Sequence, residues 1–172
     1  MSKNVKALIT LLLVVLVAPQ AYGQHALYVN FAPDSRYSSN GQDSRIVFQL
    51  EKRLYSYGHD FGVLAPCVDN STECFAFDFM ALHELPNSGV VGSEYAAGDY
   101  KFNVVKQVEL SLLGLELHVF RVDVAKNGER SNSYLIDPKV GVVAIIVNNF
   151  GNKEIPESIF FLQGSVGIFG TK

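Results

Sequence analysis

Five side chains suited to acid–base or metal chemistry fall in one stretch of the chain: His59, Asp60, Asp78, His83 and Glu84. An imidazole or carboxylate in such a group can activate water for hydrolysis. Two imidazoles with carboxylates also match the donor set of a zinc site. The spacing fits none of the motifs that would make this specific. His83-Glu84-Leu85-Pro86-Asn87 begins like the helix of a zinc protease. Asn87 stands where the second imidazole is required, and Pro86 breaks the helix that would present both ligands. Asp123-Val124-Ala125-Lys126-Asn127-Gly128 opens like a calcium loop, yet Ala125 has no ligating oxygen and Tyr134 holds the twelfth position. Gly164-Ser165-Val166-Gly167 lacks the spacing of a nucleophile elbow and reads as a turn. Neither a Walker loop nor a G-x-G-x-x-G stretch occurs. His118, between the strand residues Glu116 and Phe120, reads as solvent-facing. His25 would chelate copper through a free N-terminus only if cleavage fell after Gln24, which a small-residue rule disfavours. The sequence therefore assigns no catalytic, cofactor-binding or metal-binding residue. A small hydrolase or metal-dependent enzyme using the five His, Asp and Glu residues stands as the alternative to a non-catalytic reading.

The only cysteines are Cys67 and Cys74, an isolated close pair enclosing the turn formers Asp69, Asn70 and Ser71. In an exported chain such a pair is expected as a disulfide, worth about 2 kcal/mol for so short a ring. The spacing is not C-x-x-C, and no thioredoxin-like pattern surrounds it. Asn70-Ser71-Thr72 also fits a glycosylation sequon, and as a turn it needs no such role.

Export is expected from the first residues. Lys3 and Lys6 precede the apolar run Ala7 to Ala18, and Ala21 and Gly23 supply small residues before a cleavage point. The run is shorter than the roughly 18 apolar residues that a spanning helix needs. Residues 1–23 are read as a cleaved signal peptide and residues 24–172 as one exported β-rich domain, periplasmic or extracellular.

The elements expected in that domain are mostly strands. Ala26 to Phe31 reads as a first strand, followed by a polar loop, Pro33 to Ser44. Ile46, Val47, Leu50, Leu54 and Tyr57 share a helical face, so one short α-helix is expected over residues 44–57. Asp43 or Ser44 would cap its start and Gly58 its end. The competing strand reading, Ile46-x-Phe48-x-Leu50, breaks at Glu51-Lys52-Arg53. Phe75, Phe77 and Phe79 alternate along a strand. Val104 to Leu112 and Leu115 to Val124 form a meander with a bulge near Phe120. Asn127-Gly128 is the strongest hairpin signal in the chain. Ser133 to Ile136 pairs back, and the fully apolar Val142 to Val147 belongs in the centre of the sheet. Ile159 to Leu162 and Val166 to Phe169 close the chain as short strands. The fold class is mainly β: a single antiparallel domain of about eight strands, as a meander, sandwich or partly open barrel. An eight-stranded membrane barrel fits the length, but Val142 to Val147 does not alternate as its strands must.

The formal net charge is −3, and the first 23 residues hold two lysines and no acid, so the exported part is more acidic still. Without a basic cluster it is a poor candidate for nucleic acid or for an anionic membrane surface. Of the twelve Phe and eight Tyr, most Phe sit at core-like positions. Tyr28, Tyr37, Tyr95 and Tyr100 lie in or beside loops, where they would face a protein, sugar or lipid. The favoured function is an exported, non-catalytic binding or accessory module whose partner is a protein or small molecule. A third reading, a periplasmic inhibitor or immunity-type partner, predicts a tight protein complex.

Overall fold

Alternation along short segments decides most of this fold. In His25–Val29 and Arg45–Gln49 every second residue is buried, and a period of two fits only a pleated strand with one face on a core. The computed structural model describes residues 25–30, 45–58, 60–86, 89–112, 114–147 and 157–171. The expected signal peptide, the Pro33 to Ser44 loop, Tyr37 and His59 lie outside them.

Among the described residues thirteen strands follow in chain order. They are β1 His25–Val29, β2 Arg45–Gln49, β3 Leu54–Tyr57, β4 Asp60–Val63, β5 Ala65–Pro66, β6 Cys74–Phe77 and β7 Met80–His83. Then come β8 Glu94–Ala97, β9 Tyr100–Leu112, β10 Leu115–Lys126, β11 Glu129–Asp137, β12 Gly141–Val147 and β13 Ser158–Leu162. Ten of them form one antiparallel sheet in the order β4-β3-β2-β1-β13-β12-β11-β10-β9-β8, and β5-β6-β7 form a second, three-stranded sheet. The large sheet is a meander joined through β1 and β13, and it is not closed into a barrel. The small sheet occupies the chain between the two strands where that meander stays open.

Aromatic contacts show how the two sheets meet. Phe77 on β6 lies edge-on to Phe48 of β2 at 4.9 Å and to Tyr55 of β3 at 5.5 Å. His83 on β7 lies edge-on to Tyr95 of β8 at 4.9 Å and Phe102 of β9 at 5.2 Å. One small sheet thus touches strands near both ends of the large one, so the large sheet curls around it. Their facing sides make the main core, from Tyr28, Ile46 and Phe48 to Tyr134, Ile145 and Phe160. Burying such side chains contributes about 1.5–3 kcal/mol each.

The mainly β, antiparallel, sandwich-like expectation holds, with several corrections. The expected α-helix over 44–57 is strand, one 3-10 turn at Leu50–Lys52, and strand again. Arg53 takes a left-handed conformation at φ 50° and turns the chain back, so the charged triplet that interrupts the alternation is the hairpin itself. Phe79 does not continue the strand of Phe75 and Phe77, because Asp78 and Phe79 form the turn into β7. Val166 to Phe169 is not a strand; backbone bonds such as Val142 N–H to the Ile168 carbonyl at 2.8 Å hold it against the β11–β12 turn region. The Asn127-Gly128 turn is present, with both residues at positive φ. β10 carries its irregularities at Arg121/Val122 and at Asp123/Ala125, just past Phe120. β12 lies inside the sheet with all seven residues buried.

Candidate functional site

The described members of the acid–base group, Asp60, Asp78, His83 and Glu84, do not share one place. Asp60 begins β4, and Asp78 sits in the β6–β7 turn at φ 52°. Both act on the Tyr55 hydroxyl. Its pKa is raised chiefly by burial and then by the Asp78 charge; a hydrogen bond from the Asp78 backbone opposes this, and Asp60 adds to it. His83 and Glu84 stand at the far end of the same hairpin, where His83 pairs with Cys74. Five residues of extended chain put Asp78 and His83 about 15 Å apart. The His83 ring lies edge-on against the Tyr95 and Phe102 rings, and its Nδ1–H donates to the Glu84 carbonyl at 2.5 Å. Among the described residues no group of three or more His, Cys, Asp or Glu is arranged to hold a metal ion. His118 is exposed and lies 3.9 Å from Glu109 across the β9–β10 ladder. Cys67 and Cys74 form the expected disulfide, with Cα atoms 5.4 Å apart. Gly98, at φ 58° in the β8–β9 turn, lies so close to the Cys67 carbonyl that a Cβ would collide with it. The disulfide loop is therefore seated on that hairpin.

Of the tyrosines expected near loops, Tyr28 and Tyr100 belong to the interior instead, and Tyr95 is packed against it. Tyr28 and Tyr134 are fully buried, and Tyr100 nearly so. The Tyr28 hydroxyl donates to the Val142 carbonyl at 2.9 Å and accepts from the Ile168 N–H at 3.2 Å. Tyr95 stacks on Phe102 at 5.2 Å.

Chemistry that the sequence did not flag gathers at the free side of β7. In the β6–β7 hairpin, Ala81 and His83 turn their backbone groups away from β6. Side chains of β11 meet them. The Asn132 carboxamide accepts from the Ala81 N–H and donates to the Ala81 carbonyl, both at 3.0 Å. The Tyr134 hydroxyl accepts from the His83 N–H at 3.3 Å and donates to the His83 carbonyl at 2.9 Å. The Ser131 hydroxyl donates to the Phe79 carbonyl. Side chains here replace a neighbouring strand and satisfy backbone groups that would be costly to bury unmade. Burial pushes the Tyr134 hydroxyl well above its ordinary pKa, and Tyr95, 3.4 Å away, is pushed up by burial to about 12. The signal was present as Ser131-Asn132-Ser133-Tyr134, a polar run inside a strand, where a buried amide needs partners.

The opposite face of β10 and β11 carries an ionic group. Arg121 Nε donates to Asp123 at 2.9 Å, Arg130 approaches Ser133 at 3.3 Å, and Arg130 pairs with Glu157 at 3.2 Å. Burial works to raise the Asp123 pKa. Hydrogen bonds from Arg121 and Ser133 and the charges of Arg121 and Arg130 outweigh it and hold the carboxyl below its usual value. The network is internally matched and leaves no unbalanced charge to recruit a ligand.

β4 is different. Tyr57 and Asp60 close the β3–β4 hairpin, so hydrogen bonding alternates from that pair, and Leu64 N–H still reaches the Arg53 carbonyl at 2.8 Å. Asp60 and Gly62 therefore face β3, while Phe61 and Val63 direct their N–H and C=O groups outward. No described strand pairs with that side. Phe61 is 83% exposed, Val63 65% and Leu54, opposite Val63, 41%. Gly62 lets the Tyr55 ring lie across the inner side of the strand, where a Cβ would meet it. The ring pins β4 from within and leaves its outer face apolar and open. An aromatic on such a free edge is the most distinctive surface feature among the described residues. The short Asp60-Phe61-Gly62-Val63 sequence gave too little pattern to reveal it. No family model, curated protein or solved structure matches this chain.

Proposed function

We propose that this chain is an exported, non-catalytic binding or accessory module, periplasmic or extracellular, that takes on a protein strand along β4. The observation that carries this reading is the open apolar edge of Leu54, Phe61 and Val63. An added strand supplies backbone hydrogen bonds to Phe61 and Val63, and its side chains cover the apolar face. Export is supported by the basic and apolar opening of residues 1–23 and by the Cys67–Cys74 disulfide, which suits an oxidising compartment. The separation of His83 and Glu84 from Asp60 and Asp78 supports a role without catalysis.

The test places a photo-crosslinking amino acid at Phe61, and separately at Ala96 on the other end of the large sheet, in cells exporting the protein. Adducts at position 61 and none at 96 are expected. Silence at both positions, or equal labelling at both, overturns the β4 reading.

A further inference from the structure

We infer that Asn70 is the attachment site of an N-linked oligosaccharide, added as the chain is exported; this rests on the export reading above. Asn70-Ser71-Thr72 is the only Asn-x-Ser/Thr triplet in the chain. Such a triplet can be used only in a surface loop of an exported protein, and the fold puts it in one. It forms the tip of the loop that Cys67 and Cys74 close. Asp69, Asn70, Thr72 and Glu73 are all exposed. The Ser71 N–H donates to the Val68 carbonyl at 3.0 Å, and Asn70 turns the chain at φ 63°. Asparagine tolerates that left-handed conformation better than most residues. The turn therefore accounts for Asn70, but it asks nothing of Thr72.

An acceptor differs from a plain turn in what its side chains are free to do. The carboxamide must be open to reaction, and the hydroxyl two residues on must be open to the transferase that reads the triplet. Among the described residues neither the Asn70 carboxamide nor the Thr72 hydroxyl has a hydrogen-bond partner, whereas Ser71 accepts from the Glu73 N–H at 3.3 Å. Asn132 shows the opposite case, with both ends of its carboxamide spent on Ala81. The donor is a polyprenyl-diphosphate-linked oligosaccharide. Asn70 Nδ2 bonds to C1 of its first sugar as the C1–O bond breaks. Polyprenyl diphosphate leaves with the electron pair, and a base of the transferase takes the amide proton. The product is a bulky, solubilising group. On this tip it displaces no packed side chain, because the loop is held at its base by the disulfide and by the Cys67 carbonyl against Gly98.

Intact mass of the protein exported by its own cells, before and after digestion with a peptide-N-glycosidase, tests this. The exported chain is expected to be heavier than residues 24–172 by one glycan. The enzyme should remove that excess and leave a carboxyl group in place of the Asn70 amide. Asn70→Gln and Thr72→Ala should each abolish the excess. Thr72→Ala also leaves the turn-forming asparagine in place, so a folding defect is separable from a lost acceptor. Ser71→Ala keeps the triplet while removing the hydroxyl bonded to Glu73, and it should keep the glycan. A chain exported and cleaved at its bare mass overturns the glycan and leaves the export reading standing. A chain that keeps residues 1–23 and stays inside the cell removes both. Excess mass that survives Thr72→Ala belongs to another group and overturns the assignment to Asn70.

Discussion

β7 and β4 are both last strands of a sheet, and they are finished in opposite ways. β7 ends the small sheet inside the molecule, where its Ala81 and His83 backbone groups are met by Asn132 and Tyr134. β4 ends the large sheet at the surface, where Phe61 and Val63 meet no described strand. The difference follows from solvent. A buried backbone group without a partner costs about 1–3 kcal/mol, whereas at the surface water takes the partner's place at little cost. Capping is thus obligatory for β7 and optional for β4. An apolar side chain on an uncapped edge is the feature that protein surfaces ordinarily avoid.

Removing the β7 cap is expected to have the largest effect. Asn132→Leu keeps the volume but strands the Ala81 N–H and carbonyl against a methyl group. Asn132 is fully buried, so water does not replace the amide. A loss of about 3 kcal/mol is expected, read as a lower urea midpoint at unchanged slope. A variant as stable as the parent would mean that the two sheets are held by ring packing alone. Phe61→Lys, by contrast, should leave the same midpoint within about 0.5 kcal/mol, as for most surface changes.

How much of this contrast the sequence disclosed depends on what each segment had to express locally. Long strands with clear turns, from Val104 through Val147, were legible because alternation and Asn127-Gly128 speak for themselves. The β2–β3 hairpin was not. Ile46, Val47, Leu50, Leu54 and Tyr57 satisfy a helical face, and only pairing to β1 on one side and β3 on the other makes Ile46 and Phe48 the buried pair. That choice is tertiary, and a 14-residue window does not contain it. The β7 cap was hidden for a similar reason, since Asn132 and Ala81 are 51 residues apart. The β4 edge was hidden because four residues make no period, and exposure is a property of what fails to arrive. Cys67–Cys74 needed only two residues and a compartment.

Alkaline pH acts on the cap, and also on the buried Tyr28 and on the Tyr55 ring beneath β4, both of which burial raises. Tyr95 is raised by burial to about 12, and Tyr134 is raised by burial and by its neighbour Tyr95. A tyrosine whose folded pKa lies above its unfolded value near 10 binds its proton more tightly in the native state. Its contribution is therefore intact below pH 10 and is lost as the pH climbs through the folded value. Stability should be flat to about pH 10 and then fall by about 1.4 kcal/mol per pH unit for each such group. Urea midpoints between pH 8 and 11.5 check this, and Tyr134→Phe should lessen the slope at the expense of a lower starting value. An equally steep fall in the variant would assign the loss to other groups.

The smallest effect is expected at the other end of the large sheet, and it tests whether edge chemistry alone separates β4 from β8. Ala97 and Tyr100 close the β8–β9 hairpin, and the Val104 N–H reaches the Ser93 carbonyl at 3.0 Å. By the same alternation, Glu94 and Ala96 are the outward residues of β8. Their outer-face neighbours are Asn103 and Lys101. A carboxylate in the plane of approach must be desolvated before any strand can add there, which makes Glu94 a guard of the kind β4 lacks. Glu94→Val removes the guard and leaves Lys101 in place, with the exposed Val90 and Val91 nearby. It should give crosslinked adducts from a photo-crosslinker at position 96, fewer than those from position 61 of the parent. Crosslinking from position 96 of the Glu94→Val chain reads this directly. If position 96 stays unlabelled, an open apolar edge is insufficient for strand addition here, and the Tyr55 ring that pins β4 through Gly62 is what makes that edge competent.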